Sequence, residues 1–429
     1  MSIRKQFAKY VSQNIMGMIG MSLYILADTF FISLAEGAMG ITALNLVLPI
    51  YSLIFAVGAM IGVGSAIRFK ILRARDDAHA DRYFSNAVLC ALALGMVFVV
   101  LGGLFPGQIV ALMGGDAQIV AVGTSYTRIF MLFTPFFMWN HICNAFVRND
   151  GNPTVAMAAT LGSSLFNIVM DYVLMFPLGM GMAGAALATA VSPIIGIAIC
   201  SIHFLSKKNT IRFRWTVPSP KLLLQSCQLG ISAFIGEISS GVTTIVFNML
   251  ILRLAGNIGV AAYGVIANTS LVAISVFNGV AQGAQPLFSD LYGKGERGAV
   301  RRVLRMGVLT ALVLAVIMVV LSRVGAESIV AVFNSERDEV MASYAVNGLK
   351  LYFMGFLFAG FNIVVTGYLS AVESVRWAFT TSIMRGVVAI ILCALVLSAT
   401  LGLNGVWLAF PAAEMVTAVV AVLAVRKSR

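Results

Sequence analysis

The sequence predicts an all-α integral membrane protein, with twelve transmembrane helices in two six-helix lobes related as a parallel pseudo-twofold repeat. Three observations predict it. Apolar residues come in runs of about 20, the length that crosses a hydrocarbon core as a helix. Lys and Arg gather in alternate connections between those runs. The second half of the chain echoes the first.

The runs dominate the composition. Of 429 residues, 60% are hydrophobic and only 11% charged, and the mean hydropathy is +0.95. A soluble domain of this length needs far more charged surface. The runs are too long and too weakly alternating for outer-membrane strands, so helices are expected. They fall at roughly 11–33, 41–65, 85–105, 124–146, 154–177, 179–205, 228–252, 258–285, 303–323, 344–370, 375–398 and 402–425. The N-terminal MSIRKQFAKY leads into an apolar stretch that carries an Asp and no small-residue cleavage site, so no cleaved signal is expected.

The net charge of +12 does not point to nucleic acid, because of where the charge sits. Twenty-three Lys and Arg lie with the termini or in connections on their side, among them Arg68, Lys70, Arg148, Arg212 and Arg429. The other side has only Arg253, Arg323 and Arg337, while Arg128, Lys350 and Arg385 fall within or at the edge of spans. This asymmetry predicts cytoplasmic termini. The five cysteines, Cys90, Cys143, Cys200, Cys227 and Cys393, all fall in or beside apolar runs without paired spacing, as small core residues do.

The repeat divides the chain at its longest polar connection, residues 206–225. An N-terminal lobe is expected over 1–205 and a C-terminal lobe over 226–429. MGMAGAALA at 180–188 aligns with LGLNGVWLA at 401–409, an offset of 221 residues. The connection after span 2 likewise resembles that after span 8. Parallel repeats of this kind leave a substrate path between the lobes, which favours alternating access.

Four acidic residues fall within spans: Asp28, Asp171, Glu237 and Glu414. An intramembrane carboxylate costs several kcal/mol and marks an ion or substrate path, or else is satisfied by polar neighbours. Asp28 in span 1 and Asp171 in span 5 both lie about 8–9 Å below the far boundary, counting back from the span ends. Asn167 is one turn before Asp171 on the same face, and Thr189 in span 6 lies at similar depth. Asp28, Asn167, Asp171 and Thr189 offer only oxygen and amide groups, suited to a shared proton or to Na⁺. The alternative is a structural polar cluster. By the 221-residue offset Asn167 and Asp171 fall on Val388 and Leu392, so ion coupling is expected in the N-terminal lobe alone. Glu237 in the inner half of span 7 is placed to face the cleft, where it would attract cationic substrates or hold an ion. Asn140 and His141 in span 4 are either satisfied interior groups or substrate contacts. Arg385 and Glu414 either pair within the C-terminal lobe or line the path.

No nucleophile, metal or nucleotide arrangement stands at usable spacing. GKGERG at 293–298 matches a dinucleotide pattern but follows a membrane helix rather than a strand. No resident cofactor, metal beyond Na⁺, enzyme activity or nucleic-acid partner is therefore expected. Membrane lipids and small organic substrates are the expected partners of a monomer. Pro49, Pro135 and Pro411 lie within spans as candidate kinks.

Several stretches resemble the MATE (multidrug and toxic compound extrusion) transporters, in particular the MepA/DinF-like bacterial branch. They are SLYILADTFFIS at 22–33, ALNLVLPI at 43–50, VRNDGNP at 147–153, NIVMDYVLMFPLGMGMAGAALAT at 167–189, FIGEISSGVTTIVFN at 234–248 and GVWLAFPAAE at 405–414. The resemblance implies a bacterial inner-membrane antiporter of two six-helix lobes that exports cationic, amphipathic compounds in exchange for H⁺ or Na⁺. It implies a cation site on Asp28, Asn167, Asp171 and Thr189, and an acidic span-7 residue at Glu237. The segment SQNIMGMIG at 12–20 departs from the family in lacking an early proline. A flippase for lipid-linked precursors is the alternative of related architecture. It would be expected to carry a more cationic central cavity, whereas in-span Arg and Lys are few.

Overall fold

The computed structural model describes residues 2–334 and 337–428; Arg429, one of the basic residues counted by side, lies outside them. Among the described residues every regular element is helical. Spans 1 and 2, Ile3–Gly37 and Met39–Ala74, form a hairpin that turns at Gly37. Span 3 is Ala80–Leu104, and spans 5 and 6 are Pro153–Met175 and Gly181–Phe204. The 74-residue segment Pro220–Gly293 would be about 110 Å long as one straight helix, several times the hydrocarbon core. It turns at Gly256 and makes spans 7 and 8. Spans 9 to 12 are Arg297–Val324, Glu339–Ala371, Val375–Leu401 and Leu403–Lys427.

Span 4 departs from the straight run expected over 124–146. It is two helices, Ala117–Leu132 and Thr134–Asn149, bent by 49°. Pro135 sits in the first turn of the second helix, where its missing N–H and its ring break the ladder. Pro49 and Pro411 are carried inside continuous helices. Span ends also differ from expectation. Span 7 starts at Pro220 rather than near 228, because Ser219 Oγ accepts from Leu222 N–H (3.5 Å) and Pro occupies the first helical turn. Polarity had extended the connection to 225; the helix begins inside it.

The repeat is written into the backbone. Gly37 (φ 59°, ψ −148°) and Gly256 (φ 62°, ψ −158°) make the same turn in the two halves, in a region open only to glycine. Gly181 and Gly402, also at positive φ, open spans 6 and 12. Short helices Pro106–Leu112 and Ala326–Phe333 occupy the corresponding connections after spans 3 and 9. Each half has its own apolar core. Tyr126, Phe130, Phe137 and Phe146 anchor one, and Phe247, Phe277, Phe356 and Trp407 the other. The outer surface is apolar as well: span 9 exposes Leu309, Val313, Val316 and Val320 along one stripe. In water such a surface aggregates; against lipid it is ordinary.

Candidate ion site and lobe interface

Asp28, Asn167, Asp171 and Thr189 converge inside the N-terminal lobe, Asp28 at 9% exposure and the others at 2% or less. Asn167 and Asp171 share a face of span 5, one turn apart. The Asn167 amide donates to Asp171 Oδ2 (3.1 Å), and its carbonyl accepts from the backbone N–H and the hydroxyl of Thr189 (3.2 Å each). Spans 5 and 6 come this close because Gly184 packs on the Leu174 backbone, where a Cβ would stand 3.0 Å from its carbonyl carbon. The Asp28 and Asp171 carboxyls face each other within hydrogen-bonding reach. One oxygen of each, Oδ1 in both, has no hydrogen-bond partner among the described residues. Two ionised carboxylates this close repel each other, and a shared proton or a bound cation relieves that repulsion.

The depth estimate that paired Asp28 with Asp171 needs correcting. Asp28 lies nine residues before Gly37, but Asp171 only four before Met175. The side chains still meet, because span 1 runs on past the level where span 5 ends. Glu36, read as a loop residue, lies in that extension. Its Oε1 accepts from Met182 N–H (3.2 Å) at the N-terminus of span 6, where a carboxylate also meets the helix dipole.

The other expected residues lie apart from this cluster. His141 packs edge-on against Phe55 (5.0 Å between centroids, 85°), within an aromatic group that includes Tyr51 and Phe137. Asn140 Oδ1 accepts from Asn144 Nδ2 (3.0 Å), and the absent side chain of Gly196 makes room for it. Glu237 is half-buried on span 7, and no side-chain partner of its carboxylate is found among the described residues. Tyr24, whose hydroxyl meets that of Tyr51 (3.2 Å), stands within electrostatic reach of Asp28, Asp171 and Glu237 together.

Arg385 and Glu414 do pair (Nε to Oε1, 2.7 Å), and Asn362 donates to Glu414 Oε2 (2.7 Å) and to its backbone carbonyl (2.8 Å). A π-helical turn over Met384–Val388 carries Arg385. The knot joins spans 10, 11 and 12. Removing one charge of a buried pair strands the other. Glu414→Gln is therefore expected to cost about 3 kcal/mol of stability, and Arg385→Met/Glu414→Met less than half of that. Thermal unfolding in detergent measures both, and an equal loss in the two variants would refute this account of the pair.

The lobe interface was not legible in advance. On the terminus side the lobes meet backbone to backbone. A Cβ on Gly64 would overlap Ser226 O, and one on Gly230 would overlap Met60 O. Gly279 and Gly283 pack likewise on Ile15 and Val11, with Cβ positions 2.6 and 2.7 Å from their Cα atoms. Arg148, counted as a loop residue, is buried there; its Nη1 donates to Asn14 Oδ1 and Gln282 Oε1 (3.1 Å each). Asn149 and Gln285 exchange amide hydrogen bonds (3.0 and 3.1 Å). Arg68 pairs with Glu373, and Lys70 with Asp290 (3.2 Å). Two glutamines in the small-residue run GVAQGAQP were the available signal. Toward the other side, Cβ atoms on Gly236 and Gly241 of span 7 and Gly264 of span 8 would meet nothing within 4 Å.

The MatE family model matches residues 14–173 and 233–395. The multidrug export protein MepA of Staphylococcus aureus is 27% identical over 408 residues, covering 94% of this chain and 89% of that protein. Its namesake in Staphylococcus saprophyticus is 27% identical over 407 residues, with the same shares covered. Among solved structures, an outward-facing conformation of a multidrug resistance MATE transporter of the MOP superfamily superposes with a TM-score of 0.92, at 22% identity, over 99% of this chain and 95% of that one. A MOP superfamily transporter from Pyrococcus furiosus, described as having a reversed binding-pocket polarity, superposes at 0.91, with 21% identity and the same shares covered. With both halves of the chain matched and twelve helices in two lobes, this protein belongs to the MATE family of membrane transporters.

Proposed function

We propose that this chain is a secondary antiporter that exports cationic, amphipathic organic compounds in exchange for H⁺ or Na⁺ by alternating access. The observation that carries the reading is the facing pair Asp28 and Asp171, buried in one lobe and braced by Asn167 and Thr189. A cation or proton between them neutralises a like-charge pair that the membrane interior otherwise penalises. The ion therefore favours whichever arrangement of span 1 against span 5 brings the carboxyls together. Span 1 also carries Ile15, on which Gly279 of the other lobe packs, so that arrangement acts on the gate. With the basic side cytoplasmic, the lobes are closed toward the cytoplasm and open outward. The named export relatives support this direction of transport. The flippase alternative has less support: of the two in-span cations of the C-terminal lobe, Arg385 and Lys350, Arg385 is already neutralised by Glu414.

The test is efflux of a fluorescent lipophilic cation from cells without their own pumps, with the Na⁺ and pH gradients imposed separately. Export that collapses with one gradient names the ion, and export indifferent to both refutes the mechanism. Glu237 supplies unpartnered negative charge on the C-terminal side of the cleft, so Glu237→Gln is expected to lower efflux of monocations about tenfold. Neutral amphiphiles should be exported as before. An equal loss for both classes would remove Glu237 from cation selection.

A further inference from the structure

The connection between the lobes has a construction that the transport reading does not use. Residues 209–219 run extended across the terminus side of the N-terminal lobe. Their backbone is held by side chains beneath. Thr210 N–H donates to Asp150 Oδ2 (2.8 Å), Arg212 N–H to Asp81 Oδ1 (3.2 Å) and Arg214 N–H to Ser85 Oγ (2.8 Å). In extended chain successive side chains point to opposite faces. Ile211 and Phe213 thus line a cavity, while Arg212 and Arg214 are exposed.

That cavity has a volume of about 440 Å³. Phe84 of span 3 and Ile197 and Phe204 of span 6 form its walls, and Trp139 of span 4 its floor. It lies on the flank of the lobe, away from spans 1, 2, 7 and 8 that form the lobe interface. Its polar groups are already engaged. Trp139 Nε1 donates to Val88 O (3.0 Å). The Asn209 amide donates to Phe204 O and Ile211 O (2.9 and 3.1 Å) and accepts from Ile211 N–H (2.9 Å). A polar occupant would find no partner inside; a hydrocarbon chain needs none. The rim is the opposite. Lys207, Lys208, Arg212 and Arg214 are exposed around it, beside exposed Leu205 and Trp215 (87% and 83%), just past the terminus-side end of span 6.

We propose that this groove is a binding site for an anionic phospholipid of the terminus-side leaflet, with one acyl chain inside and the headgroup phosphate held by Arg212 and Arg214. Charge complementarity at the rim selects the headgroup, and the satisfied apolar lining selects the chain. The site is independent of whether the protein pumps, since it rests only on the fold and on the connection's register.

Trp139 is the reporter. The full chain is reconstituted in vesicles of zwitterionic phosphatidylcholine containing brominated-chain phosphatidylglycerol or brominated-chain phosphatidylcholine. Bromine quenching of tryptophan is compared with that of Trp139→Phe, which isolates the cavity signal. Brominated phosphatidylglycerol is expected to quench that signal at about a 25-fold lower mole fraction than brominated phosphatidylcholine, since Arg212 and Arg214 near an anionic headgroup each change affinity about fivefold. R212Q/R214Q should abolish the preference and R212K/R214K retain most of it. Both pairs are exposed substitutions that leave the fold intact. Equal quenching by the two lipids, a preference that survives R212Q/R214Q, or no Trp139-dependent quenching by either lipid would each overturn the proposal.

Discussion

Asp171→Asn is expected to reduce gradient-driven export to the level of cells without the transporter, at normal abundance in the membrane. The residue is fully buried and receives the Asn167 amide on one oxygen and faces Asp28 with its carboxyl. An amide of the same shape keeps the packing, so the fold should survive. What it removes is the charge that the coupling ion must neutralise. To swing a two-state transporter from about 1:99 to about 99:1, an ion must favour one state by roughly 10⁴-fold, about 5.5 kcal/mol. A neutral pair member leaves nothing of that size for the ion to contribute. Asp28→Asn fails by a different route: its amide can donate to Asp171 as a protonated carboxyl would, imitating a pair that never releases its proton. Efflux and ion-flux measurements on both variants, normalised to the amount in the membrane, check the pair. Coupled export retained by both would reduce the cluster to a structural role.

The second large effect is expected at the lobe interface. Gly64 and Gly230 lie on facing helices, and a Cβ on either would overlap a backbone oxygen of the opposite lobe, Ser226 O or Met60 O. Backbone is not the movable end of a flexible side chain, so relief requires the lobes to separate. Gly230→Val is therefore expected to destabilise the terminus-side closed state by several kcal/mol, enough to invert its population. Each lobe keeps its own core, so the variant should still fold and insert. A cysteine at Ile67, buried in the apolar cluster between the lobes with Ile71 and Leu229, reports the change. In the unmodified interface it should resist membrane-impermeant thiol reagents; with Gly230→Val it should react, and export should cease. Protection unchanged by Gly230→Val would mean that the interface does not act as a gate. The cross-lobe polar contacts there, Arg148 with Gln282 and Asn149 with Gln285, are the specific part of the closure. Satisfied only when the lobes meet, they disfavour intermediate separations.

Much of this molecule was legible without coordinates because the membrane limits what a chain can do. Hydrocarbon forces backbone hydrogen bonding into helices and sets span length, so the twelve runs and the repeat could be counted. The candidate ion cluster was legible for a related reason. Carboxylates are so costly in an apolar run that Asp28 and Asp171 stood out, and the four-residue spacing placed Asn167 beside one of them. Asn140 and His141 showed how far that logic reaches: a polar residue in a span is conspicuous, yet Asn140 turns to Asn144 and His141 to the Phe55 ring. Span ends were less legible. A cap such as Ser219 or a turn such as Gly37 is set by one hydrogen bond or one dihedral angle, which hydropathy averages away.

By itself, then, the sequence determined the class, the number of crossings, the duplication and which carboxylates the membrane must accommodate, since each follows from local chemistry summed along one helix. Only the tertiary structure decided that span 1 overruns span 5 so that Asp28 meets Asp171, and that Arg148 is an interior donor between the lobes. The same holds for the glycines that let two backbones touch, and for the connection that roofs an apolar groove. These depend on how helices far apart in sequence are set against one another. That register comes from packing two whole surfaces, and no single stretch of sequence encodes it.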